Sequence, residues 1–265
     1  MPVTSLWIGP PGRLRVLLDA ATDYDRTADI GVTEFRSLAG GITTTSLATP
    51  PRRLTLAFTG LREAEARWLD ALARRVFGPV SLAVLEPGIA NVLDAAQSQG
   101  AGPLSGYQLI GSGQLTQSSS RTVAVTGTAS GSTLRWRHPQ FPGWPVTPGL
   151  RVGFTSSLAP SAGLCVLDYL NAAGLPLGSS AAAPVVFELP PPNTIYVRPA
   201  VQLQALANPV QLGAAWLSLD TPVLPGAVPI GEGCPAMTVT SYSDKPRFGH
   251  RDMTVSLAEV RSATG

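Results

Sequence analysis

A chain of 265 residues, 44% of them hydrophobic, can bury a substantial core, and ordinary domain sizes favour two compact units. Only 14% of residues are charged, and 19 Lys and Arg stand against 17 Asp and Glu; the arginines are scattered singly or in pairs such as Arg52 and Arg53, so no basic stripe points to nucleic acid. The 27 Gly and 25 Pro suit short strands joined by tight turns, and no apolar run approaches the roughly 18 residues that span a bilayer, so a mainly β protein without membrane insertion is expected.

Residues 1–11 lack a basic stretch followed by an apolar one, so no export signal is expected and the protein reads as soluble. A short apolar run over 14–19 predicts a strand, and the polar stretch 22–31 predicts a turn-rich loop. Over 52–58, Leu54, Leu56 and Phe58 alternate with Arg53, Thr55 and Ala57, the period of a half-buried strand. Leu61, Ala64, Trp68, Leu72 and Val76 then recur at three- and four-residue intervals, predicting an amphipathic helix capped at Thr59 or Gly60 and stopped by Gly78-Pro79. Trp68 is the expected anchor of that helix on a sheet, and 80–85 reads as the next strand.

The Gly-, Ser-, Gln- and Ala-rich stretch 94–113 reads as a linker with a domain boundary near 103. Seven candidate strands follow, at 122–128, 134–137, 150–156, 164–170, 185–189, 195–201 and 214–219, separated by turn signals such as Pro148-Gly149 and Pro190-Pro191-Pro192. Their number and spacing predict a β-sandwich. Two further runs, 237–241 and 253–260, would make a marginal hairpin alone, so they are expected to return to the first domain. The predicted organisation is therefore a domain of 1–102 with 222–265, interrupted by an insert of 103–221.

Several of these segments carry a family resemblance. Arg52-Arg53-Leu54-Thr55-Leu56-Ala57-Phe58, the Trp68 helix ending at Phe77-Gly78-Pro79, the strand to Leu85-Glu86-Pro87 and the closing strand after Phe248 resemble minor tail proteins of actinobacterial siphophages, which are similar in role to the distal tail protein. Trp144-Pro145-Val146-Thr147-Pro148-Gly149, with Arg151 to Ser156 and Leu167 to Gly174, resembles the inserted carbohydrate-binding-module-like jelly roll of such proteins. The resemblance implies a mainly β (β-rich α+β) chain, with one amphipathic helix in its tail-assembly domain. It implies a virion component of the tail tip or baseplate, made in the host cytoplasm. It further implies a homo-oligomeric ring, commonly a hexamer, that links the tail tube protein to the tail-tip hub proteins. A receptor-binding subunit whose jelly roll touches host cell-wall glycan is the alternative role.

No catalytic constellation is expected. His138 and His250 sit in no nucleophile motif, there is no Gly-x-Ser-x-Gly, and Cys165 and Cys234 read as buried, small and apolar. The acids of the insert, Asp168, Glu188 and Asp220, form no distinctive glycosidase pair. No cofactor or metal is expected either. The series Asp23, Asp25, Asp29 and Glu34 echoes a calcium loop but has Ala28 where that loop requires glycine, so a solvated turn is the reading. The surface candidate is Trp136, His138, Phe141 and Trp144, interleaved with Arg135 and Arg137. Exposed rings there would stack on sugar faces; the competing reading makes Trp136 and Trp144 caps of the sandwich core.

Overall fold

The computed structural model describes residues 5–18, 21–28, 33–36, 41–45, 50–224 and 226–260. The described chain is strand-rich, with a single α-helix, and it divides into two compact, discontinuous units. One comprises Met1–Val16 with Ala83–Cys234, the other Leu17–Leu82 with Pro235–Gly265. The boundary thus falls at Ala83 and Cys234, where 103 and 221 were the sequence-based positions.

The smaller unit is organised by the strand Arg52–Leu61. Its alternation is real: Leu54, Leu56, Phe58 and Leu61 are buried while Arg53 and Thr59 are exposed. It lies inside a four-stranded antiparallel sheet ordered Met237–Arg247, His250–Glu259, Arg52–Leu61, Asp23–Ala28. Leu257 stands opposite Leu54, Val255 opposite Leu56 and Met253 opposite Phe58, so two apolar rows share one buried face. The Asp252 carboxylate accepts the Gly60 N–H at 3.0 Å and the Glu259 carboxylate the Arg52 N–H at 2.9 Å, tying both ends of the pairing.

The helix Glu63–Ala73 packs against the two C-terminal strands of this sheet. Its buried residues are Ala66, Trp68, Leu69 and Leu72, whereas the sequence stripe began at Leu61 and ended at Val76. Leu61 still belongs to the strand, so the helix starts later, with extended Arg62 rather than Thr59 or Gly60 at its N-cap. It also ends earlier: Arg75 has φ 54, a left-handed turn before Gly78-Pro79, and leaves Val76 exposed. Trp68 is buried, its ring 5.0 Å from that of Phe77.

The loop expected over 22–31 is corrected in part. Asp23–Ala28 is a strand, Asp23 opposite Ala57 and Ala28 opposite Arg52, so the acidic series adopts no calcium-loop geometry over these residues. Asp29 lies outside the described residues.

In the larger unit, all seven strands expected between 122 and 219 are present within two residues of their expected ends. The strands Tyr107–Ile110, Gln114–Gln117, Trp144–Pro145, Pro176–Ser179 and Val210–Gln211 are additional. The main sheet runs Pro176–Ser179, Gly163–Leu170, Tyr196–Leu203, Thr133–Trp136, Tyr107–Ile110, with Trp144–Pro145 also paired to Tyr196–Leu203. A second sheet is Val185–Glu188, Val152–Ser156, Ala215–Leu219, and a third Val210–Gln211, Val123–Thr126, Gln114–Gln117. One core receives Trp136, Leu167 and Val201 from the first sheet, Phe154 and Leu217 from the second, and Val123 and Val125 from the third.

The stretch read as a linker is part of this core unit. Within 94–113, Tyr107 is a core residue and Gln97 and Ser98 are buried; just before it, Ile89, Val92 and Leu93 are core residues and Asn91 beside them is 0% exposed. The Asn91 amide nitrogen donates to the carbonyls of Ala215 (3.0 Å) and Pro229 (2.9 Å), and its Oδ1 accepts from the N–H groups of Leu93 (3.2 Å) and Leu217 (3.1 Å). Within the stretch, the Ser98 hydroxyl likewise donates to the Ala95 carbonyl (2.9 Å) and accepts the Gly231 N–H (2.8 Å), a buried polar group that a composition-based reading takes for surface.

Candidate functional site

On strand Thr133–Trp136, Leu134 and Trp136 enter the core, which turns Arg135 to the opposite face of the main sheet. Register gathers its neighbours there: Asp168 lies opposite both Arg198 and Ser179, and Arg135 opposite Ala200. The Asp168 carboxylate, 6% exposed, accepts the Ser179 hydroxyl at 2.7 Å through Oδ1. Its Oδ2 is 2.7 Å from Arg135 Nε, an ion pair whose angle does not make a hydrogen bond, so neither buried atom is fully satisfied.

Arg198 is anchored by two donations to the Pro142 carbonyl, from Nε at 3.3 Å and Nη2 at 2.9 Å. Its pKa is lowered, first by burial and then by the like charges of Arg135 and Arg137, with Asp168 opposing. Three guanidinium groups therefore share one carboxylate, a local positive excess on a face also bearing exposed Gln108 and Gln202.

Arg137, itself exposed, also borders a cleft of about 270 Å³ lined by Gln97, Pro103, Ser105, His138 and Pro139. The Gln97 side chain, 3% exposed, donates through Nε2 to the carbonyls of Gly106 (3.0 Å) and Arg137 (2.8 Å). Its buried Oε1 has no partner. His138 offers the cleft no base. Nδ1 accepts the N–H groups of Gln140 and Phe141, which leaves the proton on Nε2 facing the Cys234 carbonyl at 2.8 Å. Burial lowers its pKa to about 4.

The four aromatic candidates do not form a sugar-stacking platform. Trp136 is 0% exposed, edge-on to Phe154 with ring centroids 5.3 Å apart, and Trp144 is 2% exposed, its indole N–H donating to the Val92 carbonyl at 2.9 Å. His138 is buried and Phe141 half-buried against it, ring centroids 5.0 Å apart. The reading of Trp136, His138, Phe141 and Trp144 as a glycan contact is therefore corrected: large rings gain more from core burial here than a stacking surface would leave them. Trp144→Phe is expected to cost about 1–2 kcal/mol, because the Val92 carbonyl loses a buried donor, with the shift read in a urea melt.

Asp168 and Glu188 have separate partners, Arg135 and the Tyr169 hydroxyl. Among the described residues, no cluster of three or more His, Cys, Asp or Glu is disposed to hold a metal. Cys165 and Cys234 are free and buried, and burial pushes the Cys165 thiol up to about 12, far from a reactive thiolate. Arg198, Asp168 and Gln97 were not expected together, being distant in sequence. One signal did exist: Arg135 and Arg137 alternate with Leu134 and Trp136, which places both arginines on one strand face.

No protein-family model matches the chain, and no curated protein does. Among solved structures, the enzymatically active domain of tailspike protein 4 of bacteriophage CBA120 is similar over 49% of this chain, at 12% sequence identity and a TM-score of 0.32. The match spans 21% of that chain, about a fifth of its length, and a likeness of this degree assigns neither fold nor activity.

Proposed function

We propose that the protein is a structural, non-enzymatic component of a bacteriophage tail tip. In this reading the smaller unit joins copies of the chain into a ring between tail tube and hub, and the larger unit is an inserted jelly roll of the carbohydrate-binding-module type. The observation that carries it is the open four-stranded sheet. Among the described residues, its strand Met237–Arg247 pairs on one side only, beyond the single bridge from Met237 to Leu82. A long edge of this kind invites a partner strand, and a head-to-tail contact that closes generates a ring. The two outer strands carry both signs of charge with opposite excess: Asp23, Asp25 and Arg26 lie on one, Asp244, Lys245 and Arg247 on the other. Phe248, at the tip of the hairpin, is wholly exposed, a placement that suits a contact with another molecule.

Light scattering of the purified chain is expected to give a closed oligomer, and cryo-electron microscopy of virions a ring at the tail end. Reversing the exposed edge charges with Asp23→Lys and Asp25→Lys is expected to yield a folded monomer. A wild-type monomer that is also missing from purified tails overturns the proposal. A second reading, in which the larger unit contacts cell-surface glycan, is favoured by the arginine-bearing sheet face.

A further inference from the structure

We infer that the face of the main sheet bearing Arg135, Arg137 and Arg198, with the adjoining Gln97 cleft, binds an acidic saccharide through its carboxylate and a neighbouring hydroxyl. The inference rests on the second, glycan-contact reading and gives it a ligand class.

Two unmet needs lie side by side. The first is electrostatic. Asp168 neutralises one guanidinium at most, and its contact with Arg135 is close but misaligned. Arg198 is held in place by Pro142 and sits in the field of two other arginines; burial first, and then those like charges, lower its pKa. A planar carboxylate supplies the missing charge and matches the two-pronged geometry of guanidinium. Arg137 is the exposed member and the natural first contact.

The second need is for a donor. Gln97 spends both amide protons on carbonyls, which leaves Oε1 an acceptor with nothing to accept. Oε1 is closed to solvent, so a ligand hydroxyl meets it only where the cleft floor opens slightly, while exposed Ser105 on the rim offers a hydroxyl that both donates and accepts. Inorganic anions carry charge with little donor capacity, and neutral sugars carry donors without charge; a sugar acid carries both. The cleft, at about 270 Å³, is close to the lower end of small-ligand pockets and suits a single sugar ring with its neighbours outside.

The test is an array of uronate- and sialate-bearing oligosaccharides, with their methyl esters and neutral counterparts, probed with the full chain. Titration calorimetry then follows on the best acidic member. Selective binding of acidic members is expected, weakened about tenfold by Arg137→Glu, which removes one charge-assisted contact and opposes the ligand's charge. Raising NaCl from about 0.05 to about 0.5 M should weaken it further. Arg137 is exposed, so the variant should melt like wild type; Gln108→Glu on the same face provides a second variant with the same expected direction.

Equal binding of acids and their methyl esters overturns the charge requirement while leaving the glycan reading intact. Displacement by equimolar inorganic phosphate overturns the sugar requirement and leaves a plain anion site. Absence of binding across the whole array sinks this inference and the glycan reading together, without touching the assembly reading, whose readout is oligomer mass.

Discussion

Replacing Asn91 by Ala is expected to destabilise the larger unit by about 4 kcal/mol, lowering its melting temperature by about 10 °C. The reasoning is a count of orphaned groups. Asn91 uses both amide protons and both lone-pair directions of its oxygen, and all four partners are backbone groups of Leu93, Ala215, Leu217 and Pro229. Truncation leaves two N–H groups and two carbonyls short of a partner at a site that is 0% exposed. Each costs about 1–3 kcal/mol when buried and unpaired, reduced where water enters or the chain relaxes. Asn91→Asp, nearly the same shape, should be at least as damaging, because a carboxylate cannot donate to the Ala215 and Pro229 carbonyls and would bring a buried charge. Exposed Asn193 is the matched control, and Asn193→Asp should leave the melt unchanged. A mild effect of Asn91→Ala would mean that the segment 89–93 is not clamped as described.

The second large effect concerns pH. Burial, with the nearby charge of Glu232, raises the Glu86 carboxyl pKa to about 8. Below the ordinary carboxyl pKa of 4.5 both folded and unfolded chains hold this proton; between there and about pH 8 only the folded chain does. Stability from this group is therefore complete at low pH and falls as pH rises to about 8, by up to about 1.4 kcal/mol per pH unit. His138 works in the other direction. Its folded pKa of about 4 makes stability fall as pH drops from 6.5 toward 4, so the two groups oppose one another in mildly acidic solution. From pH 6.5 to 8 the Glu86 effect stands clear of His138. Urea midpoints should decline across that window in wild type, and the decline should be largely absent in Glu86→Gln, which is also expected to be the more stable protein at pH 8. A wild-type profile that is flat or rising there contradicts the assignment.

What was legible in the sequence was whatever a one-sided burial pattern encodes. Leu54, Leu56 and Phe58 alternate because only one face of their strand is buried, and the seven sandwich strands announce themselves through turn residues at their ends. Asp23–Ala28 was illegible because an edge strand with little buried surface has no alternation to display. The segment 94–113 misled for the opposite reason. Gln97 and Ser98 are buried, yet the Gln97 amide nitrogen meets the Arg137 carbonyl and the Ser98 hydroxyl the Gly231 N–H, partners that no local pattern reveals. The arginine face was half visible: the alternation of Arg135 and Arg137 lay in the sequence, while its meeting with Asp168 and Arg198 depends on strand register.

The tie between Gly60 and Asp252 joins residues 192 positions apart. On a ribosome adding about 5–20 residues per second, the strand Arg52–Leu61 must wait on the order of 10–40 s before its C-terminal partner exists. For that interval it has an open flank and an apolar row with no sheet to cover it. A chain cut short before Met253 would keep that flank permanently. Premature termination should therefore yield insoluble product, and slow translation of the last third of the message should lower the soluble yield of the intact protein.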